Sequence, residues 1–149
     1  MSRVHKSIAS CFGIGHLKGG GTVAAAVCCG ALLLVRDGKL DTILMFLITL
    51  IVIDIGVWSA NGVEPEWGKD SSRVVIDEIA GMCVSLLFLP LNWSTIIMGF
   101  ILFRAFDILK PLYIRKLEAV SGGWGVMLDD VAAGIYANIV MQLVVRFTL

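Results

Sequence analysis

Side chains that commonly carry chemistry are scarce in this chain. In 149 residues there are two histidines, four cysteines and three prolines, and only 16% of the residues are charged. His5 and His16 both lie near the N-terminal end, and none of Cys11, Cys28, Cys29 and Cys83 falls in a CxxC pair. That spacing argues against a zinc site; the cysteines read as small apolar residues of membrane helices. Net charge is missing too, since 12 basic and 12 acidic side chains cancel, and a nucleic-acid partner would find no basic footprint. No GxxxxGK[ST] run is present, so a Walker-type phosphate loop is ruled out. The apolar stretch after Arg3 and Lys6 is too short for a cleavable signal peptide, and the N-terminal segment is expected to stay.

What the chain has is apolar length. Hydrophobic residues make up 58% of it and the mean hydropathy is +0.89, well beyond an ordinary soluble domain. The expectation is a single domain over residues 1–149, an all-α, polytopic membrane helical bundle with about four to five hydrophobic helices. A glycine-rich loop at 16–22 precedes an apolar run at 23–35, closed by the turn signal Arg36-Asp37-Gly38-Lys39. Further helices are expected at 40–60, 74–89, 94–109 and 127–147. Residues 61–73 read as a polar loop in which Ser71 or Ser72 caps the next helix, and 115–118 as a polar connector. Trp58, Trp67, Trp93 and Trp124 lie near expected helix ends, as an interfacial belt requires.

Charges buried in such runs are expensive and mark a pathway, a metal or a reaction site. Asp77 and Glu78 interrupt the third run. As neighbours on a helix they point roughly 100° apart, so they either line one wide cavity or divide the work, one on a metal and one orienting a helper. The plainer reading makes them interfacial caps in the first turn. Arg104, Asp107 and Lys110 recur at i, i+3 and i+6, either as a self-neutralising triplet or as cations flanking a carboxylate where a phosphate sits beside a metal. Asp129 and Asp130 either cap the last helix or join the same site. Asp54 is left undecided between pairing with Arg104 and lying near an interface. A solvated role is expected for His5 and His16.

Five carboxylates from three segments offer oxygen ligands only, which suits a hard cation, Mg²⁺ in particular, held together with phosphate oxygens and water. Lys18 and the Gly21–Thr22 amides, ahead of a helix, could clamp the same anion. The basic groups Arg3, Lys6, Lys18 and Lys110, Arg115, Lys116 both belong on the cytoplasmic side by the positive-inside rule.

Three motifs occur in order: Val75-Ile76-Asp77-Glu78-Ile79-Ala80-Gly81-Met82, then Phe103-Arg104-Ala105-Phe106-Asp107-Ile108-Leu109-Lys110-Pro111, then Gly123-Trp124-Gly125-Val126-Met127-Leu128-Asp129-Asp130-Val131-Ala132-Ala133-Gly134. In sequence and spacing these resemble the phosphatidylglycerophosphatase A family, from Phe12 onward. The resemblance implies a multi-pass enzyme of the bacterial inner membrane, with its site at the cytoplasmic face. It implies Mg²⁺-dependent hydrolysis of phosphatidylglycerophosphate to phosphatidylglycerol and phosphate. The family's acids then fall on Asp77, Glu78, Asp107, Asp129 and Asp130, and its basic residues on Arg104 and Lys110. Asp70 matches a further acid that family members tend to have. One departure stands out: Gly20 occupies the position where the family's first motif usually has proline, while Gly13-Ile14-Gly15, Gly21 and Thr22 are kept.

On this reading the five acids hold one or two Mg²⁺, and Arg104, Lys110, Lys18, Gly21 and Thr22 bind phosphate. Water attacks phosphorus with a spare carboxylate as base; an aspartyl-phosphate intermediate is the runner-up. Phosphatases with a histidine nucleophile need two core histidines, and no DxDxT run exists. The rival from another class is a small ion-coupled transporter using intramembrane carboxylates, for which the expected internal repeat is not seen.

Overall fold

The computed structural model describes residues 2–35 and 40–148, and among them every regular element is helical. The turn expected at Arg36-Asp37-Gly38-Lys39 lies outside the described residues. Helix α1 is Arg3–Ala9, and after a 3₁₀ turn at Ile14–His16 come α2 (Gly20–Val35), α3 (Thr42–Trp67), α4 (Ile76–Ser85), α5 (Trp93–Leu109), α6 (Ile114–Leu117) and α7 (Gly122–Thr148).

Helix α3 begins at Asp41, whose side chain accepts from the Leu44 amide at 2.7 Å. It runs on through the stretch expected to be a loop and stops only at Gly68, where φ is +84°. The reason lies in its buried face. Gly56, Val57, Ala60 and Val63 repeat at helical spacing, so the apolar stripe continues past the last apolar run. Polar residues beyond it find partners: Asn61 accepts from the Gly123 amide at 2.6 Å and Glu66 pairs with Lys6. Pro65 is tolerated because the hydrogen bond it removes belongs to the last turns of the helix.

Helix α4 departs from expectation in the other direction. The helix expected over 74–89 spans only Ile76–Ser85, ten residues or about 15 Å, followed by turns up to Pro90. No side chain caps its start at Val75, so the cap expected from Ser71 or Ser72 is not formed; the Ser71 hydroxyl instead accepts from the Arg73 amide at 3.4 Å. Its C-terminal carbonyls are met from α7, where the Asn138 side-chain amide donates to Ser85 O at 3.1 Å and Leu87 O at 2.8 Å. Gln142 donates to Leu87 O at 3.3 Å. Backbone acceptors left without water are satisfied in this way.

Helix α5 starts in a capping box of Asn92 and Thr95 and ends at Lys110, in the left-handed region ahead of Pro111. The short α6 begins at Ile114 and takes up most of the connector expected at 115–118. Helix α7 begins at Gly122, five residues ahead of the expected start, so Asp129 and Asp130 lie two turns inside it. They are not caps.

Met82, Leu86, Ile96, Phe103, Ala133, Ala137 and Met141 form the main core among α4, α5 and α7. A second cluster joins Ala9, Val57, Val63, Ala80 and Met127. Outside, Ile43, Leu47, Leu50 and Ile51 on α3, Ile97 and Ile101 on α5, and Ile139 and Leu143 on α7 are exposed. Such an exterior suits lipid rather than water. By length and composition two helices can cross a membrane, Thr42–Trp67 and Gly122–Phe147; α2 and α5, at 16 and 17 residues, are shorter. Trp58, Trp93 and Trp124 are exposed, as an interfacial belt asks, whereas Trp67 holds His16 and Arg73 against its ring.

Candidate active site

The site is made where α4 crosses α7. Gly81 and Gly134 face each other there: a Cβ on Gly81 would lie 2.6 Å from the Asp130 carbonyl, and one on Gly134 would strike the Gly81 carbonyl. Backbones can approach this closely only without side chains. One turn earlier on each helix, at i−4, stand Asp77 and Asp130, so the crossing carries both carboxyls to one place. Glu78 reaches the same place. Oxygens of Asp77, Glu78 and Asp130 all lie within 4.8 Å of one another. The 100° between adjacent helical positions was expected to keep Asp77 and Glu78 off one small spot, and the longer Glu78 side chain closes the gap.

A cleft of about 720 Å³ opens above this cluster. All ten residues expected at the site line it: Asp77, Glu78, Asp107, Asp129, Asp130, Arg104, Lys110, Lys18, Gly21 and Thr22. Asp107 pairs with Arg104, one turn before it on α5. Asp129 accepts from Lys110 at 2.8 Å, and Lys110 also pairs with Glu118. The expected triplet centred on Asp107 is therefore split, with each cation held by its own acid. Burial alone would depress Lys110, but its hydrogen bonds to Asp129 and Glu118 carry it above the ordinary lysine range.

Helix α2 supplies the opposite wall. At Gly21 a Cβ would collide with the Glu78 carboxylate, so the missing side chain makes room for that acid. At Gly20, where the family pattern has proline, the amide donates to Leu17 O at 3.0 Å and a Cβ would come within 2.6 Å of Ile14 O. The loop of this chain is shaped to glycine there. Burial and the Glu78 charge push the Cys11 thiol up to about 11; it stays protonated and offers no nucleophile.

Sequence reading passed over Glu118, eight residues beyond Lys110, and Arg73, both without a motif to mark them. His16 and Asp70 also line the cleft. Asp54 does not reach Arg104; it is exposed on α3 beside Leu50 and Trp124. His5 is stacked on Trp58 with ring centroids 4.1 Å apart and shares an exposed hydrogen bond with the Ser2 hydroxyl at 2.6 Å.

Do these residues fit a metal? Glu78 Oε2, Asp130 Oδ2 and Arg104 Nε are buried without a hydrogen-bond partner. Carboxylate oxygens gathered this closely repel one another unless a cation or a proton intervenes. With oxygen donors alone, the group fits a hard divalent cation.

Fold and site together define a helical, lipid-facing protein with an acidic, cation-ringed cleft at one end of the bundle. Comparison with known families makes this specific. The phosphatidylglycerophosphatase A family matches residues 7–145, and the chain belongs to that family. It is 38% identical to the phosphatidylglycerophosphatase A of Escherichia coli over 92 residues, 60% of this chain and 54% of that protein. With the Haemophilus influenzae phosphatidylglycerophosphatase A it shares 47% over 74 residues, 48% of this chain and 45% of the other. A Bacteroides thetaiotaomicron protein, provisionally named a phosphatidylinositol-3-phosphatase, is 51% identical over 91 residues, 59% of this chain and 57% of that protein. The chain thus matches about half the length of these curated relatives. No solved structure matches it.

Proposed function

We propose that this chain, acting as one domain, hydrolyses the phosphate monoester of phosphatidylglycerophosphate, giving phosphatidylglycerol and inorganic phosphate. The carrying observation is the meeting of Asp77, Glu78 and Asp130 with Arg104 and Lys110 in one cleft at the end of an apolar bundle. The names of the Escherichia coli and Haemophilus influenzae relatives support the same substrate. The Bacteroides relative favours a second reading, in which the monoester is carried by an inositol lipid.

Asp77, Glu78 and Asp130 would hold Mg²⁺, with Asp107 and Asp129 beside them. When bound, the cation supplies charge neutralisation and polarises a phosphoryl oxygen. Arg104 keeps its Nε free while Asp107 orients the guanidinium, so the free N–H can donate to a second phosphoryl oxygen. Lys110, fixed by Asp129 and Glu118, adds a point charge, and Lys18, Gly21 and Thr22 line the same cleft. A carboxylate of the cleft not engaged with the cation accepts the proton as water attacks phosphorus and passes it to the leaving alkoxide of the headgroup. Lys6, Lys18 and Lys110 all lie at the cleft end, which supports a multi-pass protein of the bacterial inner membrane with this end in the cytoplasm.

The test is phosphate release by purified protein in detergent, with phosphatidylglycerophosphate and phosphatidylinositol 3-phosphate in parallel, in Mg²⁺ and in EDTA. Release that needs Mg²⁺ and is lost in Asp77→Asn establishes the activity, and the preferred lipid decides the substrate. Folded, Mg²⁺-supplied protein that releases phosphate from neither lipid overturns it.

A further inference from the structure

A second cavity, of about 470 Å³, adjoins the cleft. The two share His16 and Arg73 as a common wall. Behind that wall the lining is mixed, with Ser7, Ser10 and the Lys6–Glu66 pair beside Phe12 and Trp67.

Arg73 is held there from several directions. Its guanidinium lies over the Trp67 ring, 5.8 Å from the centroid, and His16 meets the same ring edge-on at 5.8 Å. Gly15 packs directly on the Arg73 backbone carbonyl, where a Cβ would collide. The segment is pinned by Val75 N–H donating to Ala9 O at 2.8 Å. Stacking on an aromatic face fixes a guanidinium without consuming its charge. Of the other cations at this end, Lys6 is paired with Glu66, Arg104 with Asp107, and Lys110 with Asp129 and Glu118, while Lys18 lines the cleft from the loop ahead of α2. Arg73 makes no ion pair among the described residues, and it lines both the cleft and the adjoining cavity.

We propose that Arg73, presented by Trp67, binds a second anion of the substrate: the phosphodiester that joins the headgroup to the diacylglycerol. This rests on the lipid-phosphatase reading of the cleft. A monoester on a short polyol reaches the carboxylate cluster while the diester stays behind at the wall, and Arg73 supplies the fork that diester oxygens accept. The residue thus makes the site selective for lipids with two phosphates. Both headgroups considered above carry the diester, whereas phosphatidic acid has the monoester alone.

The experiment compares phosphatidylglycerophosphate with phosphatidic acid of the same acyl chains, for wild type, Arg73→Gln and Arg73→Lys. In Arg73→Gln the ratio of kcat/KM between the two lipids falls about tenfold or more, the scale of a lost charged hydrogen bond, and the fall comes through KM. Arg73→Lys recovers part of it. Glycerophosphoglycerol, which has the diester and no monoester, raises the Tm of the wild type and not of Arg73→Gln. An unchanged ratio, or equal losses on both lipids, overturns the proposal. If wild type releases no phosphate yet glycerophosphoglycerol binding depends on Arg73, the hydrolytic reading fails and the anion site stands.

Discussion

Gly81 and Gly134 touch backbone to backbone at the crossing of α4 and α7, one turn from Asp77 on one helix and Asp130 on the other. The spacing of the carboxyls is set by these two glycines. In Gly134→Ala the added methyl meets the Gly81 carbonyl and forces the helices apart. Overpacking of this kind costs roughly 1–3 kcal/mol, and phosphate release should fall by far more than stability does. Gly30→Ala is the control: a Cβ there meets nothing within 4 Å. That change should leave activity alone and raise stability by about 0.5–1 kcal/mol. Thermal unfolding and kcat on the same preparations check both outcomes.

Gly21 makes a narrower claim. Its missing side chain gives room to the Glu78 carboxylate, which sits at the end of a flexible chain. Gly21→Ala should therefore move Glu78 rather than unfold α2. The expected result is a drop in kcat of tenfold or more with Tm within a few degrees of wild type. A full-activity Gly21→Ala protein would mean that Glu78 does not need its present position.

Lys110 predicts a pH dependence. Its hydrogen bonds to Asp129 and Glu118 hold its pKa above the ordinary value, so the folded state binds that proton more tightly than the unfolded chain does. The resulting stabilisation is fully present below the unfolded value of about 10.4 and fades as pH climbs through the folded value. Lys110→Met should be less stable than wild type at pH 8, with the difference shrinking in alkaline solution. Equilibrium unfolding of both proteins across that range measures it.

Mg²⁺ should stabilise the folded chain by mass action, since the ligands proposed for it come from two helices that separate on unfolding. Added Mg²⁺ is expected to raise Tm in the wild type, and EDTA to lower it. Asp130→Asn should remove most of the response while leaving the protein folded, because relieving like charge offsets the lost oxygen. A Tm response to Mg²⁺ as large in Asp130→Asn as in wild type would place the ion elsewhere.

Much of the site was legible because charge inside an apolar run has so few uses. Asp77, Arg104, Asp107 and Asp130 could be picked out from that conflict alone, and all of them line the cleft. The lengths of the helices were less legible. The apolar run beyond Ser85 gives no local stop signal before Pro90; α4 ends early in a fold where Asn138, some fifty residues along, meets its carbonyls. The end of α3 was misjudged because polar residues beyond Ala60 looked like a loop, although Val63 continues the buried stripe. Glu118 and Arg73 could not be found by pattern, since their meaning depends on which charge or ring lies opposite.

The amides of Asn138 and Gln142 close the inner end of α4, and beneath Asp77 and Asp130 the packing turns to Met82, Phe103, Ala133 and Ala137, each with no measurable exposure. The cleft is therefore a cul-de-sac. An ion or proton at the carboxylates meets these four buried side chains on its inner side. A carrier alternates its opening between two sides of a barrier; here the barrier is built of side chains with no measurable exposure. On the proposed function, what moves through the site is a headgroup that goes in carrying phosphate and comes out without it, its tails staying in the leaflet from which it came.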